Sequence, residues 1–257
     1  MKKINKEKYV EIVLISILIV AVIILGIINF NELKVLFIDN FEGNLISILK
    51  GLLNTLIITF SSFIMGLLIG FLICLIENSK SENLIITILK CLTKAYKAIF
   101  RGTPIMVQLL IFYFVIFASY KGDSILISII TFGINSGAYV SEILRGGVNA
   151  VPKGQLEAAR SLGLSYKVSM TKIVMPQAIK NCFPSLCNEI VSLIKETSVV
   201  GFVAQLDLTL AFKNIATQTY DFAFVYIIMG ITYFFIVLLL TKIFSLLEGR
   251  IEKYDKH

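Results

Sequence analysis

Four charged side chains lie inside long apolar stretches of this sequence, and they are the first candidates for chemistry. Glu142 lies in one stretch, and Glu189, Lys195 and Glu196 lie close together in another. A charge is costly inside a lipid bilayer, so such residues usually face the interior of a protein or a water-filled path. These four positions therefore predict either a polar path or an internal ion-pair network within a helical membrane protein.

Polar residues repeat with helical spacing around three of these charges. Asn188, Glu189, Ser192, Lys195 and Glu196 are separated by three, four and seven residues, which places them on one stripe of a helix. The stripe predicts either a water-filled path lined by opposite charges or an internal ion-pair network. Weaker candidates for the same path are Thr103, Gln108, Asn135 and Ser136. For each of these, a helix–helix hydrogen bond is the alternative.

The residues required by common catalytic sites are missing. The single histidine is His257, the last residue, and this nearly excludes a histidine-based triad or metal site. The sequence has neither a G-x-x-x-x-G-K-[ST] phosphate loop nor a G-x-S-x-G nucleophile elbow. We therefore expect no catalysis, no metal and no cofactor in this chain, and we favour a channel or a transporter subunit.

Composition assigns the chain to the membrane. Of its 257 residues, 57% are hydrophobic and only 16% are charged, whereas a soluble domain is about half apolar and about a quarter charged. The mean hydropathy is +0.86. The net charge of +7 does not indicate nucleic acid, because the basic residues lie between apolar runs instead of on one face of a folded module.

Apolar runs predict an all-α integral membrane protein with six transmembrane helices, since one helical span needs about 20 apolar residues. The first span begins with a basic segment but is expected to be retained, because no small-residue cleavage site follows it. The predicted spans are 10–28, 52–76, 105–118, 125–144, 185–206 and 222–247. The sequence is also compatible with a third span that begins before residue 105.

Basic residues predict the orientation of these spans. The segments 1–9, 77–101, 145–180 and 242–257 contain 19 of the 24 lysines and arginines, and six spans place all four segments on one side. Because positively charged loops stay in the cytoplasm, both termini are predicted to be cytoplasmic. The helical run of Lys90, Lys94, Lys97 and Arg101 is expected to attract anionic lipid headgroups. The segment 207–221 is interpreted as an outer connection.

Two short helices are predicted between the fourth and fifth spans. Gln155 to Leu162 contains strong helix formers, and Gly163 suits a left-handed residue at a helix end. Ser165 is expected to start a second short helix that Pro176 ends. Such an element is either a docking surface or an amphipathic connector on the membrane, and the physical argument leaves both open.

This stretch resembles the E-A-A loop of ABC-importer permeases. The family pattern is E-A-A, three residues, G, nine residues and I-x-L-P. The matching positions here are Glu157, Ala158, Ala159, Gly163, Ile173 and Pro176. Met175 replaces the leucine of the pattern, with similar volume. In that family the loop contains the coupling helix, which contacts a separate ATPase subunit.

Three further segments resemble the permeases for polar amino acids. They are Phe100–Pro104 followed by Gln108, Tyr139–Gly146, and Leu193–Ser198. The resemblance implies a five-helix type I importer core at 47–248, with a coupling loop at 150–176. It leaves an N-terminal span and external loop at 1–46 and a cytoplasmic tail at 249–257.

The same resemblance implies the partners and the location. They are ABC ATPase subunits that use ATP and Mg, an extracellular amino-acid-binding protein, and a second permease copy or paralogue in a bacterial cytoplasmic membrane. The implied mechanism is alternating access driven by the ATPases. An ATP-independent secondary transporter or channel is the alternative, although it leaves the E-A-A spacing unexplained and the sequence has no visible inverted repeat.

Overall fold

The computed structural model of the chain describes residues 41–79 and 83–254, and this part is helical without strands. The helices are α1 (Phe41–Asn78), α2 (Leu84–Gly102), α3 (Ile105–Ile111), α4 (Ser124–Asn149), α5 (Lys153–Ser161), α6 (Tyr166–Ser169), α7 (Met175–Glu196), α8 (Leu208–Thr219) and α9 (Phe222–Tyr254). Wider π-helical turns follow α3 and α6, and a 3₁₀ turn follows α7. The predicted first span lies outside the described residues.

Three of the described helices, namely α1, α4 and α9, are long and apolar enough to cross a membrane. Two further pairs are bent. The segments Leu84–Gly102 and Ile105–Ile116 meet at 107°, and Tyr166–Val203 and Leu208–Thr219 meet at 53°. The described residues therefore provide three spans, or up to five if each bent pair counts as one.

Helix α4 lies at the centre and packs along α1 through small residues. Ser62 donates a hydrogen bond to the Ile129 carbonyl at 3.2 Å, one part of a contact that continues along both helices. A Cβ added at Gly66 would lie 2.8 Å from Ser136, and one added at Gly137 would lie 2.7 Å from Ile69. The small side chains at these positions therefore let α1 and α4 pack closely within one chain.

The main core is built where α1, α3, α4 and α7 meet. Its buried members are Ile58, Leu109, Phe132, Leu193, Val200 and Val203. A second cluster packs α8 between the start of α1 and the start of α9. These two clusters fix the helices from which the polar side chains described below extend.

Helix α8 was not predicted, because 207–221 was interpreted as a connection. Asp207 caps the helix by accepting hydrogen bonds from the Leu210 amide at 2.8 Å and the Thr209 amide at 3.1 Å. The buried positions Leu208, Phe212 and Ile215 follow with helical spacing. The cap and this spacing are visible in the sequence, but twelve residues are too few to resemble a span.

Candidate functional site

The predicted docking element is an exposed helix with a well-defined end. Helix α5 ends at Ser161 with Leu162 as its C-cap, and Gly163 follows with φ +82°, in the left-handed region that favours glycine. The Gly163 amide donates to the Arg160 carbonyl at 3.0 Å, and the Leu164 amide donates to the Ala159 carbonyl at 3.2 Å. These two bonds form a Schellman motif, which confirms the predicted role of Gly163 as a helix terminator.

One face of α5 packs on the bundle and the other is open. Ala159 is buried, while Glu157 and Ala158 are exposed. The two alanines of the E-A-A motif are therefore divided between the two faces. Leu162 is 82% exposed and adds a large apolar side chain next to the exposed polar residues of α5. In the sequence, only its place next to the terminating glycine indicates this leucine.

The base of α5 is fixed by a small apolar cluster. Val151, immediately before the helix, packs with Val174 and Ala178, and Leu156 of α5 packs against this cluster. Gly147 completes the contact, since an added Cβ would lie 2.7 Å from the Ala178 carbonyl oxygen. The ends of α4 and α7 therefore hold α5 in place.

The second predicted short helix begins as expected but does not end at Pro176. The Ser165 side chain accepts a hydrogen bond from the Val168 amide at 3.4 Å and caps α6. Helical backbone then continues through Ile173 into the first turn of α7, where Pro176 lies. The prediction of an end at Pro176 was wrong because the π turn widens the helix just before a residue that has no N–H to donate.

The polar stripe of α7 has a bundle-facing edge and an outward edge. Glu189 accepts a hydrogen bond from the Ser136 hydroxyl of α4 at 2.7 Å. Asn188 and Lys195 are exposed, with Ser192 half-buried between them. Within the described residues, the three ion pairs all join α2 to α1 or α4, so the stripe is not an ion-pair network inside this chain. The exposed edge continues toward the start of α7 through Asn181 and Ser185.

Thr103 and Gln108 lie at the bend between α2 and α3, and they bond to each other. Gln108 donates to the Thr103 hydroxyl at 2.8 Å and to the Phe100 carbonyl at 2.9 Å. Asn135 of α4 donates to the same carbonyl at 2.8 Å and to the Gln108 side-chain oxygen at 2.9 Å. These bonds hold the bend that Pro104 introduces. They favour a structural role, while the predicted role in a substrate path stays a prediction.

Glu142 is held by two basic residues of α2. Its carboxylate lies 2.5 Å from Arg101 Nη1 and 4.0 Å from Lys97 Nζ. Lys97 lies 2.6 Å from the Glu77 carboxylate of α1 and keeps only 12% of its side chain exposed. The expectation that Lys97 contacts lipid headgroups was therefore wrong. The sequence around Lys97 does not indicate that carboxylates from two other helices lie beside this lysine.

The fold and the exposed α5 define a class of protein, the membrane-embedded component of a transport system. The chain belongs to the family described as binding-protein-dependent transport system inner membrane component, which matches residues 87–253. It is therefore a permease component of an ABC importer, and it has the all-helical type I permease fold.

Named relatives cover most of the chain. A Rickettsia typhi protein whose name, GlnP, assigns it provisionally to glutamine transport is 36% identical over 83% of this chain and 97% of its own length. The arginine transport system permease protein ArtQ of Bacillus subtilis is 36% identical over 81% of this chain and 94% of its own. The L-cystine transport system permease protein TcyB of the same organism is 31% identical, over 79% and 86%.

Solved structures share the fold. A chain from the crystal structure of an amino acid ABC transporter with histidines is 37% identical, with a TM-score of 0.73 over 79% of this chain and 94% of that one. A chain of the MetNI methionine ABC transporter in an inward-facing conformation has a TM-score of 0.68 at 16% identity, covering 82% and 98%. The second likeness concerns the fold alone.

Proposed function

We propose that this chain is the transmembrane permease subunit of an ABC importer for polar amino acids. The relatives named for glutamine, arginine and cystine transport support the substrate class. The observation that carries the proposal is α5, an exposed helix with the E-A-A residues, attached to the ends of two bundle helices. Substrate crosses by alternating access, driven by separate ATPase subunits.

In this proposal the chain has six spans in a bacterial cytoplasmic membrane. The N-terminal span and loop at 1–46 precede the permease core at 47–248, and the tail at 249–257 and both termini are cytoplasmic. The distribution of lysines and arginines supports this orientation, since the rich segments include the one that contains α5. Helix α5 then lies on the cytoplasmic side, where ATP is available.

The open face of α5 contacts the ATPase subunit, which binds ATP and Mg. Glu157 contributes a charged side chain to this face and Ala158 a small one. Leu162 contributes an apolar side chain that a groove of the ATPase subunit buries. Burial of an exposed leucine stabilises a contact by about 1.5–3 kcal/mol. Ala159 is buried and shapes the base of the element, and Ile173 and Pro176 belong to the helical segment that joins α6 to α7.

The outward edge of the α7 stripe faces the substrate path. A row of exposed Asn188 and Lys195 with half-buried Ser192 between them needs water or another polar surface beside it, since lipid provides neither. A second copy of this chain or a paralogue, packed with its own stripe opposite, provides both. Glu189 and Glu196 lie beside this edge and favour the ammonium group of an amino acid delivered by an extracellular binding protein.

A substitution at Gly163 tests the role of α5. Gly163→Val forces a β-branched residue into the left-handed region, which costs about 1–2 kcal/mol or more and distorts the end of the helix. An added Cβ meets nothing within 4 Å, so the bundle itself is not disturbed. We expect transport per ATP hydrolysed to fall about tenfold in proteoliposomes that contain the permease, its co-purified ATPase and its binding protein.

Two matched variants control this experiment. Gly163→Asn keeps a residue that tolerates the left-handed region and should retain most of the transport. Gly154→Ala changes another glycine of α5 where an added Cβ also meets nothing, and it should behave as the unmodified protein. Normal transport by a fully inserted Gly163→Val complex would contradict the coupling role of α5.

A further inference from the structure

Four charged residues join three helices near the end of the bundle that contains α5. This charge cluster consists of Glu77 of α1, Lys97 and Arg101 of α2, and Glu142 of α4. Lys97 lies between the two carboxylates, at 2.6 Å from Glu77 and 4.0 Å from Glu142. Arg101 lies 2.5 Å from Glu142 and also stacks over the Tyr139 ring, with 5.2 Å between its Cζ atom and the ring centroid.

The two strong pairs of the cluster differ in their access to water. The side chains of Lys97 and Glu77 are only 12% and 11% exposed, and Thr93 adds a hydrogen bond to Glu77 at 3.3 Å. The side chains of Arg101 and Glu142 are 38% and 30% exposed. Separating a buried pair leaves two charges without solvent, whereas water can replace the partner in an accessible pair. The Arg101–Glu142 pair is therefore the one that can open at low cost.

The accessible pair lies between α5 and the bend of α2 and α3. Glu142 is about two turns before the end of α4, and a short connection at 150–152 leads from there to α5. Arg101 is next to the last residue of α2, and the 107° bend follows at once. A displacement of α5 that moves the end of α4 therefore reaches the bend through this ion pair first.

A second contact holds the same bend from the middle of α4. Asn135 bonds to the Phe100 carbonyl at 2.8 Å and to Gln108 at 2.9 Å, and both Asn135 and Gln108 are buried. Because this contact is neutral and enclosed, it can serve as a pivot. The ion pair is about two turns further along α4, so it acts on the bend from a different point of the same helix.

We infer that Arg101 and Glu142 are positioning residues for transport, and that their ion pair transmits movement of α5 to the bend between α2 and α3. The pair opens and closes during the cycle, while the Lys97–Glu77 pair keeps α1 and α2 together. This inference rests on the proposed function, because it requires an ATPase partner that moves α5. Neither residue needs to touch the substrate.

Charge removal and charge exchange test the inference in the reconstituted complex of permease, co-purified ATPase and binding protein. Arg101→Gln and Glu142→Gln should each lower transport per ATP by about fivefold, with the KM for glutamine, arginine or cystine unchanged. The double variant Arg101→Glu with Glu142→Arg restores an ion pair of opposite direction and should recover part of that ratio, because Lys97 lies 4.0 Å from the Glu142 carboxylate and repels an arginine at that position. Lys94→Gln removes an exposed positive charge from the same helix and serves as the control.

Singles that transport at the unmodified ratio, or a double variant no better than the singles, would overturn the inference. A raised KM for the amino acid in Glu142→Gln would also overturn it, in favour of direct substrate contact by Glu142. If one glutamine variant fails to assemble, the other gives the same comparison, since each removes one partner of the pair. Arg101→Lys keeps the positive charge and should transport near the unmodified ratio. Absence of ATP-driven uptake by the unmodified complex would instead refute the proposed function.

Discussion

At the scale of single residues, several glycines allow one helix to pack closely against the helix opposite. Gly70→Ala would place a Cβ 2.7 Å from Val140 Cγ1 and 2.8 Å from the Ser141 backbone nitrogen, so α1 and α4 would have to separate. We expect a loss of about 1–3 kcal/mol in the free energy of unfolding. Thermal unfolding of the purified permease in detergent measures it as a lower melting temperature.

A glycine of α9 provides the control for this substitution. An added Cβ at Gly230 meets nothing within 4 Å, and alanine is a better helix former than glycine. Gly230→Ala should leave the melting temperature unchanged or raise it. If Gly70→Ala had as little effect as Gly230→Ala, the close contact of α1 and α4 would not contribute to stability.

Some residue roles could be predicted from the sequence because they depend on local backbone preferences. Gly163 terminates α5 and Ser165 caps α6, as expected. The pairing of Arg101 with Glu142 could not be predicted, since it depends on how α2 crosses α4. Local rules give the end of a helix but not the direction of the next one.

At the scale of elements, α8 depends on one buried cap. Asp207 bonds to two amides of its first turn and is fully buried, while Gly51 of α1 lies against its backbone carbonyl. Asp207→Ala removes both acceptors and should cost about 0.5–2 kcal/mol, the range for lost caps. Hydrogen exchange measured by mass spectrometry should show faster exchange in peptides that cover Leu208–Thr219.

The control for the cap keeps one acceptor. Asp207→Asn retains a side-chain oxygen at the cap position, and asparagine caps helices about as well as aspartate, so exchange in α8 should stay close to that of the unmodified protein. Equal protection of α8 in Asp207→Ala and the unmodified protein would show that packing against α1 and α9 alone holds this helix.

Long elements were predicted better than short ones. The apolar runs gave α1, α4 and α9 because a span of about 20 residues leaves a signal that local exceptions do not hide. The span predicted at 105–118 is only the second arm of a bent pair whose first arm is α2, and the helix around 185–206 begins earlier, at Met175. In the first case the backbone bends at Thr103 and Pro104, and in the second case polar residues and Pro184 interrupt the apolar signal while the backbone stays helical.

At the scale of the whole molecule, the exposed surface has an apolar part on α9 and a polar part on α7. Along the candidate span of α9, 11% of the residues are buried, and its exposed residues include Phe234, Phe235, Leu238 and Leu239, as a lipid-facing helix requires. The exposed edge of α7 contains Asn188 and Lys195 instead. A permease with a polar path beside α7 needs this contrast, and the path itself stays a prediction.

The central claim is that this permease moves its substrate only when partner ATPases act on α5. The most direct measurement is uptake of labelled glutamine, arginine or cystine into proteoliposomes that contain the permease, the ATPase that co-purifies with it and its binding protein. We predict uptake that requires ATP and the binding protein and persists after ionophores collapse proton and sodium gradients. Uptake without ATP that follows one of those gradients would contradict the account and favour a secondary transporter.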